Sequence, residues 1–299
     1  MTASIIWNLV FGWYSILPFA HAVEGTVGGA GHSLMYANEP WSGYYSIQAP
    51  IYVVAHTTQF TAIGWKYLSS SNEGNLTGGG TYVALSDGKD LSIIVETYKV
   101  KTKQNAFFQL KNAAAITLMH VWVTNKTHWF EQLEDVQVRD GIIGPISIDY
   151  DAVYTISTTE GQSKPPVSDI PKSKPFPIPY IDDFEKYEEN ATVRYFADQG
   201  GSWASSKSPS DPNNMVFKQV VIQPPIPWSR NPTPVSILGD RTWTDYCVHA
   251  KTYMTSTEPS AFIALYGRIG TFDTFTVTQP PGYIITFSRR SVTISSGEN

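Results

Sequence analysis

From residue 44 to about residue 159, short β-branched and aromatic runs alternate with turn residues, a rhythm that predicts an antiparallel β block. The predicted strands are Ile51–Ala55, Trp65–Leu68, Thr81–Leu85, Leu91–Glu96, Ala106–Gln109, Thr117–Thr124, Phe130–Val136, Pro145–Tyr150 and Val153–Thr158. Turn chemistry falls between them at Gly78-Gly79-Gly80, Ser86-Asp87-Gly88-Lys89 and Arg139-Asp140-Gly141. Strands at such regular spacing predict a sandwich, and no stretch of this block has the periodicity of a long helix.

Two other patterns flank the block. Ahead of it, an apolar run from Ile5 to Ala20, interrupted by Asn8, Gly12 and Pro18, predicts a buried strand over Ser4–Leu9 and a short amphipathic helix over Val10–Leu17 that Pro18 stops. The run ends in Ala20-His21-Ala22, the form of a secretory cleavage site, but no Lys or Arg precedes Lys66 to supply a basic leader, and it is too short for a membrane span. Behind the block, the proline-rich residues 162–179 predict an extended, semi-rigid connector, because proline fixes φ and removes N–H donors. A second all-β block follows, with strands predicted at Phe217–Ile222, Val235–Leu238, Tyr246–Tyr253, Ala261–Arg268, Tyr283–Phe287 and Val292–Ser295.

Composition narrows the function classes. The 299 residues are 42% hydrophobic and only 16% charged, with 9 Trp, 17 Tyr and 14 Phe, which suits stacked sheets and excludes an intrinsically disordered chain. The formal net charge of −5, without a basic cluster, gives no footprint for nucleic acid or a polybasic membrane patch. Cys247 is the single cysteine, so neither an internal disulfide nor a thiolate zinc cluster can form. The six histidines lack HExxH-type spacing, and the glycine-rich residues 25–31 lack the Lys-Ser/Thr of a phosphate loop. Neither pattern calls for an organic cofactor. Three sequons, at Asn75, Asn125 and Asn190, would accept N-glycans in the secretory pathway.

The blocks TASIIWNLV (residues 2–10), EPWSGYY (39–45), HTTQFTAIGWKYL (56–68), GGTYVALSDG (79–88) and LSIIVET (91–97) together resemble the galactocerebrosidase family of lysosomal glycoside hydrolases. KSKPFP (172–177), DDF (182–184), FADQ (196–199), KQV (218–220) and SILGDRTWT (236–244) continue the resemblance in the family's order. It implies a mainly β chain in parts. Residues 1–45 would be the last strands of an (α/β)8 barrel, 46–162 a β-sandwich, 163–179 a linker, and 180–299 a lectin-like jelly-roll sandwich cut short at its C-terminus. Forty-odd barrel residues cannot close a barrel, so Ile5, Ile6, Trp7, Leu9 and Val10 are expected to form an exposed apolar patch.

The implied activity is retaining hydrolysis of the β-galactosyl bond of galactosylceramide in the lysosome, which needs two carboxyl groups about 5–5.5 Å apart. In the family both are glutamates on barrel strands ahead of the segment matched here, so no catalytic residue is assigned. Glu39, the only acidic residue near a barrel strand end, is expected to be structural, bonding backbone in its own loop. By resemblance, substrate contacts fall on Trp7, on Phe19 (where the family has a tyrosine whose hydroxyl is missing here) and on Trp228, for which inter-domain packing is the other reading. The loop 98–104 is shorter than the family's and has no arginine, so that sugar contact is not carried over. The family's lectin-like domain binds a structural Ca2+; Asp183, Glu185 (asparagine in the family) and a carbonyl near Met215 would be ligands here, the alternative being a plain acidic turn. Partners would be a galactolipid or glycan and a lipid-presenting activator protein, without integral membrane insertion. The rival function is a non-catalytic carbohydrate- or glycolipid-binding protein.

Overall fold

A computed structural model describes residues 9–12, 33–68, 74–111, 115–164, 166–221, 233–240, 242–269 and 282–297. Those residues are mainly β. The chain divides into two compact units, one of residues 47–169 and the other of residues 1–46 with 170–299.

The strands are β1 (Val10–Phe11), β2 (Met35–Glu39) and β3 (Tyr44–Ile47), followed by helix α1 (Ala49–Thr58). Then come β4 (Lys66–Tyr67), β5 (Gly74–Asn75), β6 (Thr81–Ser86), β7 (Leu91–Glu96), β8 (Gln104–Gln109) and β9 (Leu118–Thr124). β10 (Glu131–Gln132), β11 (Val136–Arg139), β12 (Ile142–Ile148) and β13 (Val153–Ser157) complete the 47–169 unit. Its ten strands form one hydrogen-bonded sheet in the order β4-β6-β7-β13-β9-β11-β12-β8, with β5 on β6 and β10 on β9.

Alternation sets the inner face. Leu91, Ile93 and Val95 on β7, Tyr154 and Ile156 on β13, and Met119, Val121 and Val123 on β9 all enter one buried cluster. The block expected as a sandwich is one continuous hydrogen-bonded path that curls over, so that Tyr82 of β6 packs edge-on to Phe108 of β8 at 5.2 Å. Gln104 at the start of β8 closes the seam, accepting from Gly78 N–H at 2.9 Å and donating to the Gly79 carbonyl at 2.7 Å. Asp140 and Gly141, both at positive φ, form the two-residue turn between β11 and β12, the geometry that suits the twist of a hairpin.

The outer face of β13 and β9 is covered by α1, and here the predicted strand Ile51–Ala55 is corrected to helix. Pro50 sits in the first turn, where its missing N–H is no loss. Tyr52, Ala55, His56 and Phe60 fall at i, i+3, i+4 and i+8, a helical stripe that outweighs the β-branched residues between them. The predicted strand Phe130–Val136 is split: β10 pairs with Val123 and Trp122 and β11 with Met119 and Leu118, and between them the Leu133 N–H still bonds the Val121 carbonyl at 2.8 Å before an extra residue shifts the register.

In the other unit β1 pairs in parallel with β2, Val10 opposite Met35 and Phe11 opposite Tyr36. Val10 and Phe11 are therefore strand where helix was expected; residues 13–17 of that expected helix lie outside the described residues. Leu9 and Val10 are 62% and 46% exposed, while Ile5, Ile6 and Trp7 lie outside the described residues. Further along, β14 (Ala197–Gly200) pairs with β17 (Val235–Ile237), and β15 (Trp203–Lys207) with β16 (Met215–Gln219). β18 (Phe262–Gly267), β19 (Gly282–Ser288) and β20 (Val292–Gly297) make a three-stranded meander. Tyr246–Tyr253 is not a strand: Cys247 to Tyr253 run exposed without a ladder partner among the described residues, and alternation alone does not make a strand.

Candidate functional site

Trp7, Phe19 and Trp228, the aromatic positions expected to meet substrate, lie outside the described residues, as does the glycine-rich run at 25–31. What the structure places is the polar framework around the other expected positions.

Glu39 ends β2 and opens the turn Pro40-Trp41-Ser42-Gly43. Its carboxylate accepts from Ser42 Oγ at 2.7 Å, from Ser173 Oγ at 2.7 Å and from the Lys174 backbone N–H at 3.1 Å. Trp41 Nε1 returns a 2.7 Å bond to the Lys174 carbonyl, so the turn and the Ser173-Lys174 segment are bonded in both directions. Burial opposes ionisation of Glu39, but the bonds from Ser173, Ser42 and the Lys174 N–H outweigh it and hold the carboxyl below its usual range. A carboxylate with its oxygens already committed to structure is a poor proton donor or nucleophile. Two residues further on, Phe176 is buried and touches Trp41, Trp243, Tyr195 and Tyr180 with ring centroids 4.9, 5.1, 5.5 and 5.7 Å away. The KSKPFP block in the proline-rich stretch is thus a bonded, anchored strap.

In the acidic turn at 182–187 the most committed residue is Asp182. One of its oxygens accepts from Tyr187 Oη (2.7 Å), Tyr180 Oη (2.9 Å) and Lys186 Nζ (3.2 Å), the other from the Phe184 N–H (3.0 Å). Burial pushes its pKa up, and these four donors more than reverse the push. Asp183 and Glu185, the expected calcium ligands, are exposed on the same turn. Asp183 Oδ1 accepts the Glu185 N–H at 3.2 Å, and Glu185 Oε1 accepts the Met215 N–H at 3.0 Å. The turn therefore does bring Glu185 to Met215. Oxygen donors are the right type for calcium, but a full shell takes six to eight, and no group of three or more His, Cys, Asp or Glu suited to a metal occurs among the described residues. The donor set is right in kind and short in number.

The sequon asparagines sit on turns and edges: Asn75 on β5 and Asn190 at φ +66° are exposed, while Asn125 Oδ1 caps its own turn by accepting from the Thr127 and His128 N–H groups.

Sequence reasoning missed one polar centre. His56, fully buried under α1, bonds through Nδ1 to Thr155 Oγ1 at 2.8 Å and through Nε2 to Thr124 Oγ1 at 2.9 Å. Thr155 spends its proton on the His56 carbonyl, so Nδ1 must carry the ring proton; Thr124 then donates to Nε2 and accepts the Phe130 N–H. Every group is satisfied with the imidazole neutral, and burial pulls its pKa down to about 3. The signal was available: Thr124 and Thr155 occupy outward positions of strands whose alternate residues are core.

Two family models match the chain. One, described as glycosyl hydrolase family 59, covers residues 1–59, and the other, described as the galactocerebrosidase C-terminal lectin domain, covers residues 198–287. Galactocerebrosidase of Salmo salar is 36% identical over 292 residues, which are 88% of this chain and 42% of that protein. The Homo sapiens galactocerebrosidase is 34% identical over 295 residues, 90% of this chain and 41% of that protein. The chain thus spans about two fifths of the length of these curated relatives. A GH30 endoxylanase from Clostridium papyrosolvens matches in structure over 37% of this chain and 28% of its own, with TM-score 0.32 and 15% identity, a likeness too slight to bear on function.

Proposed function

We propose, from the premise that this chain belongs to the galactocerebrosidase family, that it is the glycolipid-engaging C-terminal portion of a galactosylceramidase-like glycoside hydrolase acting in the lysosome. The observation that supports this best is collinear identity of 36% over 292 residues, with one family model at each end. In this reading residues 1–45 are the end of an (α/β)8 barrel, 46–162 a sandwich, 163–179 the connector and 180–299 a lectin-like jelly-roll domain. Trp7, Phe19 and Trp228 would line the galactose subsite, and the two catalytic glutamates would lie outside the matched stretch.

Retaining hydrolysis needs a nucleophile and an acid/base on facing carboxylates. Glu39 and Asp182 are both held as structural acceptors, which supports a binding role for these 299 residues. A lipid-presenting activator protein would be the partner, since a galactolipid must leave its bilayer to be cleaved. Among the described residues no helix is long and apolar enough to cross a membrane. Ca2+ would be held in part by Asp183, Glu185 and a Met215 carbonyl, adding a cross-link between the acidic turn and β16.

Incubating the chain with galactosylceramide in detergent and on vesicles, while measuring galactose release and vesicle co-sedimentation, tests the proposal. Binding without release is expected. Turnover would show a competent carboxylate pair within these residues, and absence of any binding would remove the glycolipid reading.

A further inference from the structure

The meander of β18, β19 and β20 has two unlike faces. Residues directly opposite one another in an antiparallel ladder share a face, and alternate residues along each strand return to it. The register therefore puts Ile263, Phe287 and Val292 on one rung and Leu265, Ile285 and Ile294 on the next rung of the same face, with Tyr283 one rung beyond. The opposite face carries Ala264, Thr286, Thr293 and the buried Ile284, so that side is the one packed on protein. On the apolar face Tyr283, Val292 and Ile294 are 56%, 62% and 74% exposed, and Ile263, Leu265, Ile285 and Phe287 are half-buried among their strand neighbours.

The charge on the described residues of this sheet has one sign. Residues 262–269 and 282–297 hold Arg268, Arg289 and Arg290 and no Asp or Glu, which makes +3 in a chain of net charge −5. Arg289 and Arg290 form the two-residue turn between β19 and β20, next in sequence to the end of the apolar face at Phe287 and Val292. Arg289 donates through Nε and Nη2 to the Ser256 carbonyl, a neutral acceptor that fixes the side chain and leaves its charge, and Arg290 is exposed.

We propose that this face docks on a bilayer containing anionic phospholipid. Six residues by three strands span about 20 Å by 14 Å, or about 300 Å². A second copy packed face to face would therefore bury about 600 Å², half of what the smallest stable interfaces need. A peptide strand would pair with the edge of β20 and leave the face open. A bilayer sets no such minimum: it takes up aliphatic side chains one by one, lets a tyrosine rest at the headgroup level, and repays each arginine near an anionic surface with about a fivefold gain in binding. The proposal deepens the proposed function by giving its membrane contact a place, and rests on it for the bilayer as the site where substrate is met.

The full chain is sedimented at low and high salt with vesicles of phosphatidylcholine alone, of phosphatidylcholine with phosphatidylserine, and of phosphatidylcholine with galactosylceramide. Binding to the phosphatidylserine vesicles is expected to be the strongest and to fall with salt. Ile294→Asn should weaken it about tenfold and Arg290→Gln about fivefold. Thr293→Asn, on the opposite face of the same strand, should leave it unchanged, with circular dichroism reporting the fold of all three. No binding to phosphatidylserine vesicles, equal binding to neutral and anionic ones, equal losses in Thr293→Asn and Ile294→Asn, or a dimer in sedimentation velocity that Ile294→Asn dissolves overturns the docking surface. Binding to phosphatidylserine vesicles without any response to galactosylceramide keeps the surface and removes the glycolipid reading. Binding only where galactosylceramide is present does the reverse.

Discussion

The two units solve the burial problem differently. In residues 47–169, fifteen buried hydrophobics from successive strands share one cluster inside a curled ten-stranded sheet. In residues 1–46 with 170–299, the described sheets have two or three strands, and burial centres on single rings: Phe176 in its aromatic cage and the Phe11–Tyr36 pair. Carboxylate hubs do the rest, Glu39 and Asp182 each gathering donors from turns that have no ladder of their own. Repetition of strands spreads stability over many small contributions; isolated anchors concentrate it.

Substitution should expose that contrast most strongly at Phe176. Phe176→Ala empties the cage, at a cost of about 3–5 kcal/mol. Hydrogen exchange should rise in residues 33–46 and 170–199 while β7, β9 and β13 stay protected; uniform loss of protection would show that the two units unfold as one. In the sheet unit the sensitive point is polar. Thr155→Val strands the His56 Nδ1–H, at about 1–3 kcal/mol by chemical denaturation. Acid should separate the units by pH window. The His56 pKa falls from 6.5 to about 3 on folding, so its contribution is fully present above pH 6.5 and is lost as pH falls, by about 2 kcal/mol at pH 5. Glu39 and Asp182, lowered from 4.5 and 3.8, lose theirs only as pH falls below those values. Between pH 7 and 5 the 47–169 unit should therefore soften first, and His56→Gln should be less stable at neutral pH but flat across that range.

Smaller effects sharpen the picture. Glu39→Gln should cost about 1 kcal/mol by weakening the bonds to Ser173 and Lys174, and Ile156→Val a similar amount, the first felt locally and the second across the sheet. Asp183→Asn and Glu185→Gln, on exposed side chains, should change stability by less than about 0.5 kcal/mol in chelator, yet abolish any rise of Tm on adding calcium.

The legible part of the fold was the part that repeats. β7 runs Leu91–Glu96 as predicted, and β9 and β13 differ from prediction by a residue at one end, because inner-face alternation and turn residues are local signals. At Ile51–Ala55 the β-branched residues pointed to strand, but helix followed from the Tyr52, Ala55, His56 and Phe60 stripe meeting an outer sheet face that only tertiary structure supplies. Tyr246–Tyr253 failed the other way, alternating correctly without a ladder partner among the described residues. Of the candidate site, the structural role of Glu39 was legible from its loop. Its bonding to Ser173 and Lys174 was not, because no spacing announces a contact between segments so far apart in the chain.

By itself the sequence determined a mainly β chain, the strands of its central sheet and its family, since these rest on local alternation and collinear motifs. Only the tertiary structure decided that the sheet curls into one path and that the Lys172–Pro177 block is an anchored strap. It also decided that Asp182, not Asp183, is the carboxylate most deeply committed to the fold. A side chain's partners are set by the backbone path that brings distant strands and turns together, and hydrogen-bond donors and ring faces can be counted only once that path exists.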